Sequence, residues 1–267
     1  MSEFMPLHKI AWRFILAAAL LAGIPAGGQQ SHVGPLTGDG QRGHQLYRRY
    51  CIGCHGAKGD GKGENAPFVV MPLNDPPPRN FTAGVYKCRS TPSGSIPYDS
   101  DIYNTITRGI HATYMPPWRA LTPQQRADLV AYVKTFSSRF RNEKPDPAIV
   151  VPAETATTPD SVARGKELYQ NTLKCGECHG ASGSGDGPSA PTLFDTLGNK
   201  LPPYDFTSGR RFKCGETDQD LYRIFLSGLD GTAMPSYADY LKGDQAWDLV
   251  HYLRTLQINP AKPRKTP

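Results

Sequence analysis

The apolar positions of this chain gather into a few short stretches, separated by polar segments rich in Gly and Pro. The first stretch runs from Ile15 to Ile24, behind the basic residues His8, Lys9 and Arg13, and is followed by the small residues Ala26, Gly27 and Gly28. A bilayer needs about 20 apolar residues, so this run is too short to span one. The pattern predicts an export signal over residues 1–28. Left uncleaved, it would act as a membrane tether. No Cys follows the run, which argues against a lipid anchor. Two later stretches have helical period. Leu129, Val130, Val133 and Phe136 share one face of a helix that starts at Thr122-Pro123. Trp247, Leu249, Val250, Leu253 and Leu256 form a second such face. Shorter helices are expected around Leu46, Tyr47 and Tyr50, and around Leu168 and Tyr169. One more in each half is expected to start at Ser100-Asp101 and at Asp218, with an Asp or Ser cap. No stretch alternates as a strand would. The expected fold class is all-α, with long loops.

The two helical faces belong to an internal repeat. Shifted by about 120 residues, most of the chain aligns with itself. Gly43 to Tyr47 matches Gly165 to Tyr169, and Ala66-Pro67 matches Ala190-Pro191. Asn80-Phe81-Thr82 matches Asp205-Phe206-Thr207, and Tyr86-Lys87-Cys88 matches Phe212-Lys213-Cys214. Asp101-Ile102-Tyr103 matches Asp220-Leu221-Tyr222, Met115-Pro116 matches Met234-Pro235, and Asp128-Leu129-Val130 matches Asp248-Leu249-Val250. We place a first domain at 36–142 and a second at 160–260. Between them, 143–159 holds four prolines, the composition of a fairly extended linker.

Composition sharpens the picture. Gly and Pro together number 52 of 267 residues, and only 38% are hydrophobic. Such domains have many turns and too little apolar volume of their own, as expected if a cofactor fills part of each interior. Without residues 1–28 the formal charge is +5, from 28 Lys and Arg against 23 Asp and Glu. No dense basic stripe supports nucleic-acid binding.

Each copy carries a Cys-x-x-Cys-His motif, Cys51, Cys54 and His55 in the first and Cys175, Cys178 and His179 in the second. This is the pattern of covalent haem attachment, in which each cysteine sulfur adds to a haem vinyl group and the histidine ligates the iron. A second axial ligand is then needed, and a Met thioether suits it. Met115 and Met234 occupy equivalent positions, each before a proline, 60 and 55 residues after the motif histidine. Met71 has no partner in the second copy and is assigned to core filling. His44, His111 and His251 have non-histidine equivalents, which argues against a bis-His iron. Gly-rich loops follow both motifs (Gly56, Gly59, Gly61 and Gly63; Gly180, Gly183, Gly185 and Gly187), and such loops let backbone approach a haem. Arg79, Arg89, Arg210 and Arg211 flank the Asn/Asp-Phe-Thr segments, where they could bond haem propionates or simply face solvent.

With these motifs the chain resembles the class I c-type cytochromes, and its tandem layout resembles the dihaem cytochromes of the c4 type. The resemblance rests on Gly43 with Tyr47, Gly165 with Tyr169, both haem motifs, both Met-Pro loops, and terminal helices of the form Leu-Val-x-Tyr. It covers nearly all of the chain after the export signal. It implies two covalently bound haem c groups, terminal helices that cross where the Gly meets aromatics, and a periplasmic location. It also implies electron exchange with redox proteins, a membrane-bound respiratory complex among the candidates, as a carrier or as the cytochrome subunit of a larger oxidoreductase. The alternative is a dihaem enzyme, resembling a thiosulfate dehydrogenase or a peroxidase.

Cys88 and Cys214 remain after haem attachment has used four of the six cysteines. They hold equivalent repeat positions. Three readings stay open: a disulfide joining the domains, two buried free thiols, or a reactive sulfur close to iron.

Overall fold

A computed structural model describes residues 29–70, 76–111 and 113–257. The expected export signal, residues 1–28, and Met71 lie outside the described residues. The first half opens with an antiparallel hairpin, β1 (Gln30–Val33) and β2 (Leu36–Asp39), which corrects the expectation of no strand. Its chain reverses at Gly34-Pro35, with Gly34 at φ +56°, a glycine-first hairpin turn. The two buried positions that face inward across the pair are Ser31 and Gly38. Neither is apolar and large, so no hydrophobic alternation marked the hairpin. Ser31 Oγ donates to the Ala127 carbonyl at 2.7 Å, tying the hairpin to the first domain ahead of residue 36.

The first half then runs α1 (Gly40–Tyr50), α2 (Ile52–His55), α3 (Ala66–Val70), α4 (Asp99–Arg108), α5 (Pro123–Lys134) and α6 (Arg139–Asn142). The second half has α7 (Pro159–Glu167), α8 (Gly176–His179), α9 (Asp218–Ser227) and α10 (Gln245–Gln257). The helix starts are chemically legible. Thr122 caps α5 in a box with Gln125, and Thr158 and Thr217 cap α7 and α9 in the same way. For the middle helices this corrects the expected Ser or Asp cap. In both, the Asp sits at the third helical position and its carboxylate reaches back to the cap backbone: Asp101 to Tyr98 N–H at 3.0 Å, Asp220 to Thr217 N–H at 3.3 Å.

In each half the first and last helices cross at a glycine. A Cβ on Gly43 would lie 2.0 Å from the Asp128 carbonyl oxygen, and one on Gly165 would lie 2.0 Å from that of Asp248. No side chain fits there, so the crossing requires Gly. The neighbouring arginine locks it. Arg42 grips the buried Asp128 carboxylate through two hydrogen bonds of 2.9 and 2.8 Å, and Arg164 grips Asp248 through two of 2.8 Å. Around each crossing is a separate core, built on Tyr47, Leu129 and Val130 in the first half and on Tyr169, Trp247 and Leu253 in the second.

The halves are also joined to each other. Cys88 and Cys214 form a disulfide, 126 residues apart in sequence. Beside it Arg89, its side chain fully buried, pairs with Asp230 at 2.8 Å and donates to the Ser227 carbonyl at 2.6 Å. Arg89 is therefore a pin between domains, neither a solvated residue nor a propionate ligand. Arg108 donates to the Cys214 carbonyl at 2.6 Å. The linker has no regular structure, but it is held: Asp146 N–H meets Ser95 Oγ at 2.9 Å, Ile149 N–H meets the Ser90 carbonyl at 2.8 Å, and Val151 packs on the second core. Among the described residues no helix is long and apolar enough to cross a membrane.

Candidate functional site

A cavity of about 1280 Å³ opens between the two halves, and all eight expected ligand and attachment residues line it. From the first half come Cys51, Cys54, His55 and Met115; from the second, Cys175, Cys178, His179 and Met234. The four motif cysteines are free thiols. Burial pushes Cys51 and Cys175 up to about 12, so both thiols are protonated at neutral pH.

Each motif histidine is oriented by the backbone. His55 Nδ1 lies 3.1 Å from the Arg79 carbonyl and His179 Nδ1 lies 3.0 Å from the Tyr204 carbonyl. A carbonyl only accepts, so the proton sits on Nδ1 and Nε2 keeps its lone pair for a metal. Burial lowers both imidazole pKa values, which holds the rings in the neutral, ligating form.

The Asn/Asp-Phe-Thr segments explain the carbonyls. Asn80 Oδ1 accepts from the N–H and hydroxyl of Thr82 at 2.9 and 2.7 Å, and Asp205 Oδ1 does the same with Thr207 at 2.8 and 2.6 Å. These local turns press Phe81 against His55, ring centroids 4.5 Å apart, and Phe206 against His179, at 4.7 Å. Sequence reasoning had the repeat but not its role. The signal was present: a polar-Phe-Thr triplet kept in both copies, one residue after the carbonyl that orients the histidine.

The methionine loops are built alike. Met115 N–H donates to Thr113 Oγ1 at 3.1 Å, and that hydroxyl donates to the Ile110 carbonyl at 2.7 Å. Met234 N–H donates to Thr232 Oγ1 at 3.1 Å, which donates to the Leu229 carbonyl at 2.7 Å. Thr113 and Thr232 were missed, although Thr-x-Met-Pro stands in both halves. Tyr47 and Tyr169 complete the frame by donating to the Gly56 and Gly180 carbonyls at 2.8 and 2.7 Å.

In the first Gly-rich loop two glycines are required by packing against protein. A Cβ on Gly59 would strike the Phe136 ring at 2.5 Å, and one on Gly61, at φ +77°, would lie 2.4 Å from the Pro78 carbonyl oxygen. These glycines let the loop pack against Phe136 and against the Pro78–Asn80 segment whose Arg79 carbonyl orients His55. Of the flanking arginines, Arg79 and Arg210 line the cavity, and burial lowers the Arg79 pKa. Arg211 stays on the surface beside Glu216. Lys87 also lines the cavity, and burial, with Arg79 and Lys213 nearby, brings it down to about 7. The remaining histidines are elsewhere: His44 lies against the Tyr132 ring, His251 is 2.9 Å from Ser161 Oγ, and His111 meets Glu216 at 2.7 Å.

The residues fit haem. A neutral imidazole and a thioether are soft donors that suit iron in a haem and not a hard cation. Free thiol pairs border the same space, and among the described residues no cluster of His, Cys, Asp or Glu offers an alternative metal site.

Comparison with known proteins agrees with this chemistry. Segments 40–137 and 162–257 match the family described as cytochrome c. A chain of the Kuenenia stuttgartiensis reducing HAO-like protein complex is 43% identical, with a TM-score of 0.77, the match covering 81% of this chain and 96% of that one. No curated protein matches the chain.

Proposed function

The chain belongs to the cytochrome c family, with a family domain in each half, and we propose that it is an exported electron-transfer protein holding two haem c groups. Bound haem supplies a one-electron ferric–ferrous couple. In the first half Cys51 and Cys54 would tether it by thioether bonds, with His55 and Met115 as axial ligands. In the second half Cys175, Cys178, His179 and Met234 take the same roles. Two protein side chains would then be committed to each iron, which would leave no place for a substrate and favours carriage over catalysis. The observation that carries the reading is the single cavity lined by both ligand sets. Both ligand sets border one space, so an electron accepted at one end would have a path to the other through it.

Covalent attachment of haem outside the cytoplasm supports a periplasmic location, either soluble or tethered through residues 1–28. The partners are a redox donor and a redox acceptor, met through small, transient interfaces. Kinship with a chain of a reducing HAO-like protein complex supports service as the cytochrome subunit of a larger oxidoreductase. A thiosulfate dehydrogenase-like role for Cys88 or Cys214 loses its reagent, because each sulfur is bonded to the other.

The test is the absorption spectrum of the oxidised holoprotein, read for the weak Met-to-iron band near the red edge of the visible. Two-haem strength supports the assignment. Met115→Ala and Met234→Ala should each remove half of it and lower one potential, by an amount on the order of 0.1 V. High-spin features in the unmutated protein would overturn the carrier reading.

A further inference from the structure

The carbonyls that aim the two histidines belong to residues of different charge. His55 Nδ1 faces the Arg79 carbonyl, and His179 Nδ1 faces that of Tyr204. Each is followed by the residue that closes the turn onto Thr, Asn80 in the first half and Asp205 in the second. Arg79-Asn80 and Tyr204-Asp205 are therefore equivalent pairs, one carrying +1 and the other −1. Arg79 and Asp205 both line the cavity. The repeat thus keeps the geometry at the two histidines and reverses the charge beside them.

The other charged groups of the cavity leave this contrast standing. Lys87 and Lys213 are repeat equivalents, one from each half. Lys174, Asp186 and Arg210 line the second half's share, but all three are exposed, where water and salt screen them. Arg254 lies near Tyr204 and is paired with Asp218. Haem propionates would be the same on both sides. Arg79 is placed differently. Its Nη1 atom occupies the space a side chain at Gly231 would need, 3.2 Å from the position of an added Cβ, so the guanidinium is enclosed where the halves meet. Burial lowers its pKa, yet a guanidinium keeps its proton in a protein. Asp195 is the acidic group near enough to oppose that charge. Beyond the effect of burial, Arg79 opposes protonation of His55 and Lys87 and eases ionisation of Tyr86, all in the first half. The shift at His179 comes from burial and the Tyr204 carbonyl.

We propose that Arg79 sets the order of the two haem potentials, holding a haem bound at Cys51, Cys54 and His55 above one bound at Cys175, Cys178 and His179, and that Asp205 widens the gap. This rests on the electron-transfer reading above. A fixed cation beside an iron favours the reduced form, which carries one positive charge less, and a fixed anion favours the oxidised form. One electron then passes from the second site, which goes from ferrous to ferric, to the first, which goes from ferric to ferrous. No proton moves with it, because Arg79 keeps its own. Electrons enter at the second domain and collect at the first, so the two-haem chain has a direction that the duplicated ligand sets alone would not give it.

The experiment is a potentiometric titration of the holoprotein, followed by haem absorption. Two one-electron steps are expected, and the upper one should be the step that Met115→Ala moves. Arg79→Tyr copies the second half and keeps the backbone carbonyl that holds His55. It should lower the upper step by about 59 mV, a tenfold loss in the constant for sharing one electron, and leave the lower step in place. Asp205→Asn copies the first half and keeps the turn, as Asn80 shows, and it should raise the lower step. Arg79→Lys retains the charge and should retain the gap. In all three variants the Met-to-iron band should stay at two-haem strength, which separates a change of charge from a loss of ligation. An upper step that belongs to the second haem would overturn the proposal. So would an unchanged gap in Arg79→Tyr, an equal fall of both steps, or a gap lost in Arg79→Lys as well. Absence of any reversible one-electron step in the unmutated protein would overturn the electron-transfer reading itself, and this proposal with it.

Discussion

The two haem domains repeat the contacts that aim their candidate ligands and differ in the segments that lead into the motif and cover the last helix. Both place a histidine Nδ1 near 3 Å from a backbone carbonyl, both hold the Met N–H on a Thr hydroxyl, and both cross their end helices at a Gly beside an Arg–Asp pair. The entry to the motif differs. From Tyr47 to Cys51 the chain takes four residues, closed by a Cys51 N–H to Tyr47 carbonyl bond of 2.9 Å. From Tyr169 to Cys175 it takes six, and Leu168–Thr172 winds as a π-helical turn, with Lys174 at φ +52°. Cys175 N–H still returns to the Tyr169 carbonyl, at 2.8 Å. Two extra residues are absorbed as a local widening of the helix, and the first Cys keeps its backbone bond to the Tyr.

The covering of the last helix differs as well. In the first domain the β1–β2 hairpin lies over Ala127, whose carbonyl receives Ser31. Among the described residues of the second no strand pair covers the last helix, and the equivalent position is Trp247, fully buried and packed 4.7 Å from the Tyr222 ring. The same void is closed once by added backbone and once by a large side chain. A duplicated domain thus conserves the contacts that aim its ligands and improvises its packing elsewhere.

The sharpest way to break this equivalence is Trp247→Ala, which makes the second domain resemble the first without giving it a hairpin. It should cost about 3–5 kcal/mol, and the second domain should melt first in a calorimetric scan while the first keeps its transition. Cys88→Ser with Cys214→Ser comes next, at about 2–4 kcal/mol. Here both domains should lose stability together, and differential thiol labelling should find no protected pair even in the unmutated protein after reduction. A single-domain effect would mean that the bond does not couple the halves. Gly43→Ala and Gly165→Ala should each cost about 1–3 kcal/mol through overpacking at the crossing. Equal losses, measured by denaturant titration, would sharpen the claim of identical crossings; a silent variant would refute it for that domain. The smallest effect is electrostatic. Burial opposes ionisation of Asp128, but the hydrogen bond from Arg42 and those from Asp39 N–H and Gln124 prevail and hold its pKa below 3.8. A depressed carboxylate stabilises the fold above its unfolded pKa and loses that contribution as pH falls through the folded value. The first domain should therefore weaken below about pH 3.8, and Asp128→Asn should flatten that acid limb.

Much of the site could be read from residue order alone. Cys-x-x-Cys-His and Met-Pro recur at similar separations, and covalent chemistry admits few substitutes at those positions, so eight candidate ligand and attachment residues, which line one cavity, could be named without coordinates. The helix faces were legible because Leu129, Val130 and Val133 keep a 3.6-residue period. The hairpin was not, because its buried face is a serine and a glycine that serve hydrogen bonding and close approach, which leave no hydropathy signal. Arg89 was also misjudged: an arginine beside a haem segment reads as polar surface until a second domain closes over it and supplies Asp230 and the Ser227 carbonyl.

Local and repeated information thus named the chemistry, the helices and the duplication, since each depends on neighbours along the chain or on an element's own periodicity. The choice among three fates for Cys88 and Cys214, the carbonyls that aim His55 and His179, and the merging of two sites into one cavity were settled only by folding. Each depends on groups brought together from distant segments, and the distance between two such groups is a property of packing that no stretch of sequence contains.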